Sequence, residues 1–326
     1  MTPGGYAALH DSAVLADRND RLRVLVAGGH AAEAMNGLLT NDVLALTAGT
    51  GLFAAALTPK GKIIADVRVF ARAGDLLIDT GAAGAPGFLA MIRKYVNPRL
   101  ARHADVSAVL RSVGVFGPRA RAVLATVLGH SDPALSALVA YQHLRFQFDG
   151  VDVDVARVPE FRVEGFELFV PVEVAGSLTA KLTAAGALPV ADEVLAIARV
   201  EAGRPLYGTD MDEHTLVQEA NFDELHGISY TKGCYTGQET VARVHFRGHV
   251  NRHLRGVRAA APLHAGAQLF TTDGQPCGDV RSAVLSPRLG AIALAMVRRD
   301  VETGAAVTAK WDGGEVVAQV AALPFG

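Results

Sequence analysis

Between residues 21 and 107, short apolar runs alternate with polar breaks, and their spacing sorts them into strands and helices. RLRVLV (residues 21–26) alternates and is rich in Val and Leu. After Gly28-Gly29, HAAEAMNGLLT carries apolar residues at helical spacing, so strand, turn and helix are predicted in that order. LFAAAL, IIADVRVF and DLLIDT read as three strands joined by the hairpin-length links Thr58-Pro59-Lys60-Gly61 and Arg72-Ala73-Gly74. GFLAMIRKYV (87–96) reads as a helix stopped by Asn97-Pro98, and ADVSAVLRSVGVFG returns to strand character.

The mixture repeats further on. Gly117-Pro118-Arg119 opens the helix RAVLATVL, VDVDVARV and FELFVPV are strands, and SLTAKLTAAG is a helix closed by Gly186, which predicts two related α+β layers in residues 21–107 and 108–190. VADEVLAIARVEAGRP predicts a helix ending at Gly203-Arg204-Pro205. Residues 206–250 are polar and loop-rich, the kind of long irregular stretch that often carries function. From about residue 253, short alternating segments divided by Gly, Pro and Asp turns predict a small β-barrel or sandwich.

Composition narrows the function classes. The chain has 326 residues, half of them hydrophobic and only 6% aromatic, so it can build more than one core and must fill them mainly with Ala, Val and Leu. With 31 basic against 33 acidic residues the net charge is -2. No global positive field exists to hold a phosphate backbone, and no direct nucleic-acid partner is expected, although a local basic patch is compatible with this balance. Cys234 and Cys277 have no CxxC spacing, which leaves a disulfide framework unsupported and a four-thiolate cluster impossible within one chain. Charges interrupt the N-terminal segment and no apolar run reaches about 18 residues, so a cytoplasmic protein without a membrane partner is expected.

The densest chemical signal is Ser229-Tyr-Thr-Lys232-Gly233-Cys234-Tyr235-Thr236-Gly237-Gln238-Glu239. Thr236 and Glu239 have capping-box spacing, which would put Cys234 just ahead of a helix N-terminus, and Lys232 shares its side if the segment is extended; both favour a thiolate. A small inert Cys in a glycine turn is the commoner arrangement, and the residues alone do not separate the two. Asp66 sits on an alternating strand, where a solvent-facing carboxylate competes with a site role, and Arg199 and Glu201 lie on a helix, where a surface ion pair does. His245, His249 and His253 are spaced by four, but Gly248 interrupts the helix they would need, and no metal site is expected.

LYGTDMDEHTLVQEANFD and SYTKGCYTGQETVARVHFRG, with GLLTNDV at 37–43 and Arg199-Val-Glu201-Ala-Gly203, resemble the signature of the YgfZ family of folate-binding iron–sulphur maintenance proteins. That family is similar to the T-protein of the glycine cleavage system, an aminomethyltransferase that uses tetrahydrofolate, and the resemblance runs over nearly the whole chain. It implies an α+β, T-protein-like fold with two related α+β domains and a C-terminal β-barrel around a central channel that receives the folate. Residues 1–47 and 108–245 would form one discontinuous domain, 48–107 a second, and 250–326 the barrel.

The resemblance further implies tetrahydrofolate or a one-carbon derivative as cofactor. Asp66, Glu167 and Arg199 would bind it, since KGKIIAD matches the second Asp of a Gly-Ile-Ile-Asp-Asp-like pattern and Glu167 falls where T-protein reads the pterin. Cys234, supported by Lys232, would be a redox or cluster-contacting thiol serving iron–sulphur client enzymes or assembly proteins. Four positions depart from the T-protein pattern: Ala65 replaces the first Asp, Arg162-Val163 replaces a Gly-Glu pair, and Phe53 stands where T-protein has Tyr. These losses bear on aminomethyl transfer more than on folate binding. A folate-dependent aminomethyltransferase or demethylase is the alternative, and a scaffold that has lost its ligand is a third reading.

Overall fold

The computed structural model describes residues 3–129 and 132–326. The chain divides into two compact units. The first takes residues up to Ala56, Ala65–Val194 and Gly227–Tyr235; the second takes Leu57–Ile64, Leu195–His226 and Thr236–Gly326.

The first unit opens with helix α1 (Pro3–Asp11) and strands β1 (Val14–Asp17) and β2 (Leu22–Ala27), followed by helix α2 (Ala31–Asn36). Strands β3 (Gly51–Leu57), β4 (Ile63–Ala71) and β5 (Asp75–Thr80), helix α3 (Ala85–Tyr95) and strand β6 (Arg102–Asp105) come next. After strand β7 (Leu110–Phe116) come helices α4 (Ala120–Leu128) and α5 (Asp132–Ser136), then strands β8 (His143–Phe148), β9 (Val151–Arg157) and β10 (Gly165–Pro171). Helix α6 (Val172–Ala184) and strand β11 (Leu188–Pro189) complete it.

Two sheets result, with strand orders β11-β1-β7-β10-β9-β8 and β3-β4-β5-β2-β6. In the first, Phe166, Leu168 and Val170 point to one face of β10 and join Leu124, Leu128, Leu178 and Leu182 in a core under α4 and α6. Their neighbours Glu167 and Phe169 point the other way, and Phe169 meets Phe70 of β4 at 5.2 Å between ring centroids. The two sheets therefore pack face to face, and α3 adds the buried Phe88, Met91 and Ile92 to the unit. Residues 22–27 belong to the second sheet, where β2 pairs with β5 from Leu22↔Thr80 to Ala27↔Asp75. The layer of residues 21–107 expected from the pattern includes this strand, whereas the grouping of 1–47 with 108–245 sets it apart; its pairing with β5 and β6 puts it among residues 48–107.

The second unit contains helices α7 (Asp192–Glu201, from Leu195 onward) and α8 (Gln238–Arg247) and a closed six-stranded barrel. Its strands are β12 (Arg252–Ala259), β13 (Gln268–Thr271), β14 (Pro276–Ser286), β15 (Gly290–Arg298), β16 (Ala306–Trp311) and β17 (Gly314–Ala321). Closure removes the unpaired sheet edges that so small a sheet would otherwise expose. Cys277 lies inside the barrel core on β14, and burial pushes its thiol up. Among the described residues no helix is long and apolar enough to cross a membrane.

Candidate functional site

Strand β4 is buried on both faces and uses them differently. Ala65, Val67 and Val69 are inaccessible, while Asp66, Arg68 and Phe70 alternate with them and share the opposite face. Asp66 is half-buried as a residue, but its Oδ1 is occluded and has no hydrogen-bond partner. Burial pushes its carboxyl above the ordinary carboxylate range, and the nearby Arg21 charge offsets this only in part. Thr80 Oγ1 fixes the backbone here by donating to the Asp66 carbonyl at 2.7 Å.

Glu167 is held quite differently. It is fully buried, accepts from Arg68 Nη1 at 2.6 Å through Oε2, and accepts from Ser112 Oγ at 2.5 Å through Oε1. Arg68 also donates to Asp79 (Nε, 2.7 Å) and to Glu160 (Nη1, 2.5 Å), Arg21 binds Asp79 through Nε and Nη2, and Arg18 closes on Glu160 at 2.7 Å. Arg21 and Arg68 hold the Asp79 carboxyl well below the usual range despite its burial, which acts the other way. The network bridges β4 and β5 of one sheet to β7 and β10 of the other. Both oxygens of Glu167, expected to contact the pterin, thus have partners within the fold. Sequence reasoning passed over Arg68 and Asp79, although they are charges inside otherwise apolar strands and stand opposite each other in the β4–β5 register.

Cys234 is exposed. Lys232, two residues earlier, is buried and turns inward. Its Nζ donates to the carbonyls of Asn36 (2.5 Å) and Leu39 (2.8 Å) at the end of α2 and lies 4.9 Å from the Tyr235 ring centroid. Burial lowers its pKa to about 8, with Asp42 acting weakly the other way. The side shared with Cys234 expected from an extended segment is therefore absent, and Lys232 fastens the segment instead. Ser229 N donating to Thr40 O (3.0 Å) and Thr40 Oγ1 donating to Gly227 O (2.6 Å) fasten it further. Gly233 is exposed, with nothing within 4 Å of where a Cβ would stand, so packing does not demand a glycine there.

Gly237, not Thr236, occupies the N-cap of α8, at φ 85°, so Thr236 and Glu239 do not have the N-cap-to-N3 spacing of a capping box. A Cβ on Gly237 would stand 2.7 Å from Thr58 O and 3.1 Å from Gly61 Cα, which explains this glycine by close approach and positive φ.

Arg199 spans a structural junction in the second unit. Nη1 donates to Arg204 O (2.7 Å) and Asp210 Oδ2 (2.6 Å), and Nη2 donates to Ser282 Oγ (2.7 Å), which ties α7 to the 204–210 loop and to β14. The residue expected to contact folate thus makes three bonds within the fold. The motif residues that follow bond backbone groups: Glu219 Oε2 accepts from Leu216 N, Asn221 Nδ2 donates to Leu254 O on β12, and Gln218 Nε2 donates to Val241 O on α8. His245 lies on α8, His249 beyond its end and His253 on β12, and no group of three metal-ligating side chains gathers among the described residues.

The GCVT N-terminal domain profile matches residues 5–227, and the glycine cleavage T-protein C-terminal barrel domain profile matches residues 252–325. An aminomethyltransferase of Rubrobacter xylanophilus is 30% identical over 326 residues, covering 98% of this chain and 85% of that relative. The tRNA-modifying protein YgfZ of Yersinia enterocolitica is 30% identical over 244 residues, covering 74% of this chain and 70% of that one. The solved structure of glycine cleavage system aminomethyltransferase T from Bartonella henselae superposes with TM-score 0.89 at 23% identity, covering 99% of this chain and 89% of that one. Two α+β sheet layers within the first profile's match and a closed barrel within the second's place this chain in the glycine cleavage T-protein family.

Proposed function

We propose that the chain binds tetrahydrofolate, or a one-carbon derivative of it, through Asp66 and serves iron–sulphur enzymes as an accessory protein that presents Cys234. The unmatched Asp66 oxygen carries this reading. A buried carboxyl oxygen without a donor costs about 1–3 kcal/mol, and a pterin offers adjacent N–H donors that would remove that cost and favour the ionised form. Of the three residues expected to hold the folate, Asp66 alone fits, because the polar atoms of Glu167 and Arg199 are committed elsewhere. Bound tetrahydrofolate would supply N5 and N10 as carriers of a one-carbon unit. The chain's own contribution is an acceptor at Asp66 and, apart from it, an exposed thiol on a segment fastened by Lys232.

Aminomethyl transfer is the second reading, favoured by relatives named aminomethyltransferase that align with nearly the whole chain. Three features weigh against it. Ala65 is buried and inert, Phe53 is buried against Tyr141 without a hydroxyl to offer, and that chemistry has no use for the exposed Cys234. A tetrahydrofolate-dependent methylene-transfer assay with an aminomethylated carrier separates the two readings. Negligible turnover, together with loss of iron–sulphur enzyme activity in cells carrying Cys234→Ser, is the expected result; robust turnover would make the chain a catalyst.

A further inference from the structure

Helix α8 exposes a combination that the folate reading leaves unused. Of its residues only Val241 is buried. Arg243, Phe246 and Arg247 stand at i, i+3 and i+4 and so share one face of the helix. Phe246 leaves 65% of its surface exposed, and its ring meets that of His245 at 4.7 Å in edge-to-face contact. Neither the Arg243 nor the Arg247 side chain has an ion pair or hydrogen bond among the described residues, whereas Arg252, shortly after, is bound to Glu219 at 3.0 Å. His249 adds an exposed imidazole just past the helix, and Glu239 is the one acid on it.

We infer that this face binds single-stranded nucleic acid, with Phe246 stacking on a base and Arg243 and Arg247 engaging phosphates. The composition of the surface selects this occupant. A protein partner anchors on an apolar centre ringed by further apolar contacts, but the exposed aliphatic residues of this unit, Leu285 and Val317, lie on barrel strands and not on α8. A largely exposed ring flanked by unpaired guanidiniums matches the stacking platform and cationic track of single-strand binders. The net charge of -2 keeps the attraction local and limits it to about two phosphates, so the expectation of no direct nucleic-acid partner, drawn from overall charge, is revised at this one face. The inference uses neither Asp66 nor Cys234 and stands or falls apart from the folate reading.

The test titrates the full chain into a fluorescein-labelled oligoribonucleotide of about 12 nucleotides, and into its deoxyribose counterpart, reading anisotropy over a range of salt concentrations. Saturable binding is expected, with log affinity falling against log salt at a slope of about -1.4 for two phosphates. Phe246→Ala should weaken binding about fivefold to hundredfold, the equivalent of one lost stacking contact. Arg243→Gln and Arg247→Gln should each reduce the slope by about 0.7. Thermal melts of these exposed-site variants should match the parent chain. Tighter binding of the ribose probe would add recognition of the 2′-hydroxyl, and equal binding would assign the contact to stacking and phosphates alone. Absence of binding to both probes at low salt, or binding untouched by all three substitutions, would overturn the inference. Displacement by polyglutamate as effectively as by unlabelled oligonucleotide would reassign the face to acidic proteins.

Discussion

Asp66 and Glu167 are both carboxylates on strands of the first unit, and both occupy positions that a resemblance assigns to pterin recognition, yet their surroundings are opposite in kind. Around Glu167, Arg68 and Ser112 satisfy both oxygens and the side chain is sealed from solvent. Around Asp66 one oxygen is occluded with no donor, and burial raises the pKa of the group. A buried charge that is fully paired is part of the fold; one left partly unpaired retains capacity for a ligand. Residue type and motif position do not distinguish the two cases, and hydrogen-bond accounting does.

The largest effect should come from the paired side of this contrast. Glu167→Ala leaves Arg68 with a buried charge short of one partner, and should destabilise the first unit by about 3–5 kcal/mol in denaturant titrations. A loss below about 1 kcal/mol would mean that the network is dispensable, and Glu167 would again be open to a ligand role.

Lys232 supplies an intermediate case, a buried charge whose hydrogen bonds go to neutral carbonyls. Its folded pKa of about 8 lies below the ordinary value of roughly 10.4, so between these limits the unfolded chain holds a proton that the folded chain has released. Stability therefore rises with pH across that window and is lowest below it. Relative to Lys232→Met, which does not titrate, the parent chain should gain about 1–3 kcal/mol between pH 8 and 10. A constant difference would show that this ammonium carries no burial penalty.

Asp66→Asn should give the smallest change in stability, and of the opposite sign to Glu167→Ala. The folded pKa of Asp66 is raised, so from about pH 3.9 upward to that value the folded chain keeps a proton that the unfolded chain has lost, and stability falls as pH rises through the window. The variant should be more stable than the parent by about 1 kcal/mol at neutral pH, with the difference vanishing below about pH 3.9. A variant destabilised at neutral pH would show that the carboxylate has a partner in the fold.

Strands and hairpins were legible because alternation is a local signal: LFAAAL, IIADVRVF and DLLIDT correspond to β3, β4 and β5. What local pattern does not carry is pairing across the chain. The joining of residues 22–27 to the second sheet, the meeting of Arg68 with Asp79 and Glu167, and the docking of Gly237 against the Thr58–Gly61 turn all depend on contacts between distant segments. The same limit applies at the site. Lys232 was read as a neighbour of Cys234 by sequence distance, whereas its ammonium is drawn to the carbonyl end of α2, nearly two hundred residues earlier. The bond of Arg199 to Ser282 likewise joins segments far apart in the chain.

Calorimetric titration of tetrahydrofolate into the parent chain, Asp66→Asn and Glu167→Gln tests the central contrast most directly, since Gln keeps most of the shape and hydrogen bonding of Glu167. The expected result is saturable binding by the parent, a loss of about tenfold to hundredfold in affinity for Asp66→Asn, matching a charge-assisted bond of roughly 1.5–3 kcal/mol, and a change within about twofold for Glu167→Gln. Equal losses in the two variants, or an affinity indifferent to Asp66→Asn, would contradict the assignment of Asp66 as the ligand-facing carboxylate, and no binding by the parent would contradict the folate reading itself.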